Sequence, residues 1–117
     1  MLEVDGTSNR LAFYFHNGHS YFSSLPLSAG WHHVAVSKTF GTSNTTVMYV
    51  DGVPVGSFTE GTPETTAPTV NNEPLWIGNS IAPDGFAGYI DDVRIYQANL
   101  SSQNISDIYN YTRKKCQ

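Results

Sequence analysis

The stretch VMYVDGVPVG, residues 47–56, contains the strongest local fold signal in the sequence. Asp51-Gly52 is the dipeptide that a two-residue type I′ turn requires, because glycine accepts a positive φ without a steric clash at Cβ. Residues that favour strands flank this dipeptide on both sides. We therefore predict a β-hairpin that pairs Thr46–Val50 with Val53–Phe58.

Further strands are predicted from short runs of β-branched and aromatic residues between turn residues. They are Leu2–Asp5, Leu11–His16, Ser20–Ser23, Trp31–Lys38, Leu75–Gly78 and Gly88–Tyr96. The stretch 59–74 is rich in Thr and Pro and lacks a clear period, so a surface loop is predicted there.

The C-terminal region has a helical period instead. Ile105, Ile108 and Tyr109 lie at i, i+3 and i+4, which predicts one short helix. Ser101 or Ser102 can cap its N-terminus. Many strands followed by a single helix indicate an all-β, antiparallel two-sheet sandwich rather than a parallel α/β sheet.

Length and composition limit the class of protein. With 117 residues the chain is the size of one domain, and we assign residues 1–112 to the sandwich and 113–117 to a basic C-terminal tail. The net charge of −4, with six Lys and Arg residues, provides no basic field for nucleic acid. No apolar run reaches the ~20 residues of a membrane span, and the first residues lack the pattern of a signal peptide. The single cysteine, Cys116, excludes an internal disulfide.

Five segments resemble one known family in their order along the chain. They are GWHHVAV at 30–36, MYVDG at 48–52, LWIGN at 75–79, GFAGYIDDVRIY at 85–96 and LSSQNISDIY at 100–109. These segments are similar to the laminin-G-like family of concanavalin A-like jelly rolls, which implies a jelly-roll sandwich at a cell surface, on a virion or outside the cell. Family members carry further strands ahead of the part that residues 2–23 resemble. We therefore expect a trimmed sandwich, or one that strands of another chain complete in a homo- or hetero-oligomer.

The resemblance implies a non-catalytic binding or adhesion module for a glycan or an extracellular protein. The alternative is a structural subunit of a capsid, fibre or surface layer that packs through its sheet edges. A glycoside hydrolase is a remote alternative, because relatives carry the strand motif Glu-x-Asp-x-x-Glu. This chain has EVDGTS at residues 3–8, where Ser8 replaces the second glutamate, so the pair of carboxyl groups that hydrolysis needs is incomplete. We expect no enzyme activity.

Calcium is the cofactor that the resemblance suggests. Asp91 and Asp92 match the family's aspartate pair, and Asp84 lies in the loop before them. Calcium takes six to eight oxygen ligands, so it needs few carboxylates at a fixed spacing. In the alternative interpretation, one aspartate caps a turn or pairs with Arg94. Strand alternation places Asp91 on the apolar face of its predicted strand, so one carboxylate of the pair is expected to be buried.

Aromatic residues supply the candidates for a ligand surface. The candidate ligand-binding residues are Tyr14, Tyr21, Phe22 and Tyr89. Trp31 and Trp76 are interpreted as core residues, because they lie among Val, Ile and Leu in predicted strands.

Four Asn-x-Ser/Thr sequons would permit N-glycosylation on a secretory route. They begin at Asn44, Asn99, Asn104 and Asn110. The alternative is that they occur by chance, because Asn, Ser and Thr are abundant in this chain.

Overall fold

The structure is a computed structural model, and it describes residues 1–15, 19–41, 45–59, 75–78 and 86–114. The strands within these ranges are β1 (Leu2–Val4), β2 (Arg10–Phe15), β3 (His19–Pro26), β4 (Val34–Thr39), β5 (Thr45–Val50) and β6 (Val53–Thr59). They are followed by the helix α1 (Ser102–Arg113). The predicted mostly-β class with one closing helix is confirmed.

The strands form two antiparallel three-stranded sheets. The first has the order β1-β2-β3 and the second has the order β4-β5-β6. β3 of the first sheet lies against β6 of the second. This arrangement agrees with a concanavalin A-like sandwich, and the complete jelly roll stays a prediction.

The predicted hairpin joins β5 and β6. Val50 pairs with Val53, and the turn residues Asp51 and Gly52 have φ values of 52° and 76°. A type I′ turn requires positive φ at both central residues, so the Asp-Gly dipeptide is matched to its backbone. The hairpin prediction is therefore confirmed.

The core lies between the two sheets. Leu11, Tyr21 and Met48 are buried at its centre. Side chains alternate faces along a strand, so these residues share the inner faces of β2, β3 and β5. The half-buried apolar side chains that pack around them are Phe13, Leu27, Val34, Val36, Val50, Val55 and Phe58.

Helix α1 covers the outer face of the second sheet. Ser101 is its N-cap, and Ser101 and Asn104 form a capping box in which each side chain accepts the other residue's backbone N–H. Ile105 is buried, and the Tyr49 hydroxyl on β5 lies 3.0 Å from the Ser102 hydroxyl. The predicted helix is confirmed, and it continues to Arg113, the first residue assigned to the tail.

Two predicted strands, Leu75–Gly78 and Gly88–Tyr96, are wrong, because neither segment is a strand in the described part of the chain. Gly78 has a φ of 75° and Asp92 a φ of 53°. A left-handed residue interrupts the extended backbone that a strand needs. The apolar side chains of both segments are exposed as a result.

The interpretation of Trp31 and Trp76 as core residues is also wrong. Trp31 is 70% exposed and Trp76 is 53% exposed. β4 begins at Val34, three residues later than the prediction, so Trp31 lies in the loop before the sheet. Trp76 lies in one of the two irregular segments.

Candidate functional site

Two exposed aromatic side chains stack beside the second sheet. The ring centroids of Trp31 and Tyr89 are 6.4 Å apart, and the ring planes meet at 29°. Tyr89 is 85% exposed, and Trp31 is nearly as open. Single exposed aromatic residues are ordinary on protein surfaces, whereas an exposed stacked pair presents a continuous apolar area. We call this pair the aromatic platform.

A chain of hydrogen bonds holds the loop that carries Trp31. The Ser28 hydroxyl lies 2.9 Å from His32 Nε2, and His32 Nδ1 lies 2.8 Å from Asp51 Oδ2. An ionised carboxylate only accepts hydrogen bonds, so Nδ1 donates to Asp51. Nε2 of the neutral ring then accepts from the Ser28 hydroxyl. We call Ser28, His32 and Asp51 the loop clamp.

The second carboxylate oxygen of Asp51 binds His33, the residue directly after His32. Asp51 Oδ1 accepts the backbone N–H of His33 at 3.0 Å, and the Asp51 N–H donates to the His33 carbonyl at 2.8 Å. The tip of the β5–β6 hairpin is therefore joined to the start of β4 by backbone and side chain together.

His33 lies between this turn and helix α1. Its ring centroid is 6.0 Å from that of Tyr109, and its Nδ1 is buried with no hydrogen-bond partner among the residues that the structure describes. Burial lowers the pKa of His33 and Arg94 lowers it further, whereas the charges of Asp51 and Asp92 oppose the shift. The pKa of His33 therefore lies below its ordinary value, which favours the neutral imidazole at pH 7.

The aspartate pair lies in the segment that carries Tyr89. Asp92 accepts two hydrogen bonds from Arg94, from Nε at 2.7 Å and from Nη2 at 2.6 Å. These hydrogen bonds raise the pKa of Arg94. Asp91 Oδ1 accepts the Asp92 N–H at 2.8 Å. The pairing of one aspartate with Arg94 matches the alternative interpretation of the sequence.

The prediction that one aspartate of the pair is buried is wrong, because Asp91 and Asp92 are both exposed. That prediction assumed strict alternation along a strand. The positive φ of Asp92 breaks the alternation, so the faces assigned to its neighbours do not apply.

A calcium site at this pair depends on a residue outside the described ranges. Asp84, the third predicted ligand, lies there. Among the described residues, no three His, Cys, Asp or Glu side chains are grouped closely enough to hold a metal ion. Both carboxylate oxygens of Asp92 already accept from Arg94, so a bound calcium would compete with that pair. Calcium binding stays a prediction.

The predicted ligand-binding aromatic residues separate into three places. Tyr21 is 7% exposed and packs between Phe13 and Phe58, so its assignment to an exposed ligand surface is wrong. It points inward because β3 directs alternate side chains to the core. Tyr14 and Phe22 meet edge to face at 6.1 Å on the outer face of the first sheet, and Tyr89 belongs to the platform.

The sequon asparagines that the structure describes take part in local hydrogen bonds. Asn99 accepts from the Ser37 hydroxyl, and its Nδ2 donates to Thr39 Oγ1 at 2.6 Å. Asn104 belongs to the capping box, and Asn110 Nδ2 lies 3.5 Å from the Ser106 hydroxyl. Glycosylation would attach to Nδ2 and disturb the contact of Asn99. Asn44 lies outside the described residues, and glycosylation stays a prediction.

A shallow groove adjoins the loop clamp. Its volume is about 240 Å³, and its lining is mostly apolar. The lining residues are Leu25, Pro26, Leu27, Ser28, His32, Val50 and Val55. Two residues of the loop clamp, Ser28 and His32, line this groove, so one side of the clamp faces solvent.

The sequence interpretation missed Trp31 as a site residue. No local signal in the sequence marks this, because Gly30 before Trp31 is equally compatible with a strand that begins at Trp31. In the structure the strand begins after His32-His33, at Val34.

The fold and this surface define the class of protein, a β-sandwich with an aromatic surface patch. A family model described as the concanavalin A-like lectin/glucanases superfamily matches residues 1–106. The match covers most of the chain, so the chain belongs to this superfamily, and the resemblance stated from its sequence is confirmed.

Other comparisons add a distant likeness. A crystal structure of part of an S-layer domain-containing protein from Clostridium thermocellum is 24% identical, with a TM-score of 0.48. The match covers 93% of this chain and 61% of the other, so the chain spans less than two thirds of that neighbour. None of the curated proteins with which the sequence was compared matches it. In the described ranges, no helix is long and apolar enough to cross a membrane.

Proposed function

We propose that this chain is a non-catalytic surface module that binds a glycan at the aromatic platform. The observation that carries the proposal is the stacking of Trp31 on Tyr89, with both rings open to solvent. Membership of the lectin/glucanase superfamily agrees with a carbohydrate ligand. We place the module outside the cell or on a surface, where such ligands occur.

The chemistry around the platform suits a neutral sugar. A pyranose ring has an apolar face that covers an aromatic ring, and its hydroxyl groups need donors and acceptors at the rim. Asp92 and Arg94 follow Tyr89 in the same segment and supply an acceptor and a donor. Their opposite charges cancel, so the pair favours hydroxyl groups over a charged ligand.

The acidic residues near the N-terminus support a module without hydrolase activity. Asp5 Oδ2 accepts the backbone N–H of Ser8 at 2.7 Å and the Ser8 hydroxyl at 2.6 Å. These hydrogen bonds lower the pKa of Asp5, so its carboxyl group cannot supply a proton near neutral pH. Asp5 stabilises the turn between β1 and β2 by binding Ser8, the residue that stands where the hydrolase motif has its second glutamate.

A glycan array tests the proposal. The wild-type chain should bind a subset of neutral oligosaccharides, and Trp31→Ala and Tyr89→Ala should each abolish that binding. Tyr14→Ala removes a half-buried ring from the other sheet and should leave the array pattern unchanged. Binding that survives both platform substitutions would refute the proposal.

Assembly is the second candidate function, and exposed apolar side chains favour it. In the two irregular segments 75–78 and 86–96, which we call the apolar strip, the exposed large side chains are Leu75, Trp76, Ile77, Phe86, Tyr89, Ile90, Val93, Ile95 and Tyr96. The two segments are joined by a hydrogen bond from the Phe86 N–H to the Gly78 carbonyl, and exposed apolar side chains grouped in this way are typical of an interface. The strip would pack against strands of a second copy or of another protein.

Light scattering over a wide range of protein concentration tests assembly through the strip. A self-associating chain should gain mass with concentration, and Ile95→Lys should keep it monomeric. A wild-type chain that stays monomeric throughout would exclude self-association and leave a heterologous protein as the partner to test.

Calcium at Asp84, Asp91 and Asp92 forms part of the proposal as a ligand that would stabilise the folded chain beside Tyr89. Millimolar calcium should then raise the melting temperature, and Asp84→Asn should remove the increase. An unchanged melting temperature in calcium would exclude the ion.

A further inference from the structure

The loop clamp closes the short loop that contains Trp31, one of the two residues of the aromatic platform. Ser28 and His32 are four residues apart, and Trp31 lies between them. His32 Nε2 meets both the hydroxyl of Ser28 at 2.9 Å and its carbonyl oxygen at 3.2 Å. The positive φ of Gly30 lets the backbone reverse within this short loop. The loop is therefore closed across its base by one imidazole ring.

The same ring connects the loop to the rest of the sandwich. Asp51 holds His32 through Oδ2 and the backbone N–H of His33 through Oδ1. Asp51 lies at the tip of the β5–β6 hairpin, which the second sheet and helix α1 hold in place. The backbone on both sides of Trp31 is thus fixed, although the indole itself is open to solvent.

We infer that the loop clamp positions Trp31 for ligand binding, so that Ser28, His32 and Asp51 are positioning residues of the platform. The inference rests on the proposed function for its binding consequence. Its physical basis is that a side chain ordered before binding loses less conformational entropy when the ligand arrives. An exposed Trp31 on an unclamped loop would have to be ordered at the moment of binding.

The clamp works in both protonation states of His32. In the neutral ring, Nε2 accepts from the Ser28 hydroxyl. In the protonated ring, Nε2 donates to the Ser28 carbonyl, and Nδ1 donates to Asp51 in either state. The charged group that faces the ring is Asp51. Substitution of a clamp residue therefore tests the clamp more directly than a change of pH.

The order of hydroxyl, imidazole and carboxylate is also that of a serine-hydrolase triad. In this loop His32 Nε2 also meets the carbonyl oxygen of the same serine, which is the geometry of a loop closure. A fluorophosphonate probe separates the two roles. We expect Ser28 to react no faster than Ser8, whose hydroxyl donates to Asp5. Selective labelling of Ser28 would overturn the inference, because the serine would then be a nucleophile.

The main experiment measures the motion of Trp31 directly. The chain has two tryptophans, so Trp76→Phe leaves Trp31 as the single reporter for time-resolved fluorescence anisotropy. In that background His32→Ala should at least double the amplitude of fast indole motion. It should also weaken binding of the array-selected oligosaccharide about tenfold, the scale of ordering one or two side chains.

Two further variants keep the test specific. Asp51→Asn tolerates the positive φ, and its amide can accept from the His33 N–H and donate to His32 with the tautomer reversed. It should therefore stay within about twofold of wild type in affinity, since it keeps both contacts. Asp51→Gly keeps the turn but removes both contacts, and it should match His32→Ala. Ser28→Ala should have a smaller effect than His32→Ala, and Ser8→Ala should have none.

The outcomes separate the two claims. Mobile Trp31 in His32→Ala, with motion close to wild type in Asp51→Asn, supports the inference even where the wild-type chain binds no glycan and the proposed function fails. Unchanged motion and unchanged affinity in both His32→Ala and Asp51→Gly, in a wild-type chain that binds glycan, overturns the inference and leaves the proposed function intact.

Discussion

The loop clamp and the apolar strip show two ways in which strand-like sequences end up outside the sheets. The segment GWHH lies directly before β4 and outside the sheet, yet hydrogen bonds to a neighbouring turn hold it in a defined place. The segment 86–96 alternates apolar residues like a strand and is neither paired into a sheet nor buried. An apolar pattern alone is therefore insufficient, because a strand also needs an adjacent edge with which to pair.

The clamped loop and the apolar strip suit different kinds of binding partner. The clamped loop is a rigid support, and rigid supports suit recognition of a small ligand. The apolar strip has the composition of an interface and the geometry of an unpaired segment, which suits a partner that supplies strands. The platform lies where the two regions meet, because Trp31 comes from the loop and Tyr89 from the strip.

The largest expected effect compares one core residue with one residue of the strip. Met48 is fully buried, so Met48→Ala should lower the free energy of unfolding by about 2–5 kcal/mol. Ile95 is 72% exposed, so Ile95→Ala should change it by less than about 0.5 kcal/mol. Denaturant unfolding measures both. A large loss of stability in Ile95→Ala would show that the apolar strip is buried in solution. It would remove the contrast between the core and the strip.

The second effect concerns the turn that holds the clamp. Gly52 has a φ of 76°, and an added Cβ would lie 3.1 Å from the Tyr109 ring and 3.2 Å from Ser106 Cα. Gly52→Ala should therefore cost about 1–3 kcal/mol, from left-handed strain and from displacement of helix α1. Gly6→Ala is the matched control, because in the described part of the chain no atom beyond its sequence neighbours lies within 4 Å of its added Cβ. Equal stability of the two variants would mean that the helix does not pack on this turn.

The third effect is a pH dependence that His33 creates. Its pKa in the folded chain is below the ordinary value of 6.5, so the unfolded chain binds more protons between those two values. Stability should be fully present above pH 6.5 and should fall as the pH decreases below it, by at most about 1.4 kcal/mol per pH unit for one proton. His33→Gln should reduce this slope. A slope that is the same in both proteins would assign the dependence to other groups.

The smallest effect tests the aspartate pair. Asp92→Ala removes both hydrogen bonds to Arg94 and places alanine at a positive φ, so it should lower the melting temperature slightly. Asp91→Ala removes one local contact and should cost less. Thermal unfolding at low and high salt compares them, and the difference should shrink in high salt. A larger loss of stability in Asp91→Ala than in Asp92→Ala would mean that Asp91 contributes more than its hydrogen bond from the Asp92 N–H.

The features predicted correctly from the sequence are those with local causes. The Asp51-Gly52 turn and the Ser101 cap depend on residues within a few positions, so their chemistry is visible in the sequence itself. Whether residues 75–78 and 88–96 join a sheet depends on a free strand edge beside them in the fold. That edge comes from a distant part of the sequence, so a local sequence pattern cannot reveal it. The left-handed Asp92 reversed the predicted faces around it, and the late start of β4 moved Trp31 from core to surface.

The platform itself required the structure. Tyr89 was a candidate from the sequence. Trp31 joins it because two segments that are far apart in the sequence meet in the fold. Tyr14 and Phe22, predicted with Tyr89, meet each other on the other sheet instead.

The most direct test of the platform is a calorimetric titration that compares two exposed tryptophans with the same array-selected oligosaccharide. Trp31→Ala removes half of the stacked pair, and Trp76→Ala removes an exposed indole from the apolar strip. We predict that Trp31→Ala weakens binding at least tenfold, about 1.4 kcal/mol, and that Trp76→Ala leaves the affinity within about twofold. Equal losses in the two variants, or a loss in Trp76→Ala alone, would contradict the assignment of the glycan site to the platform.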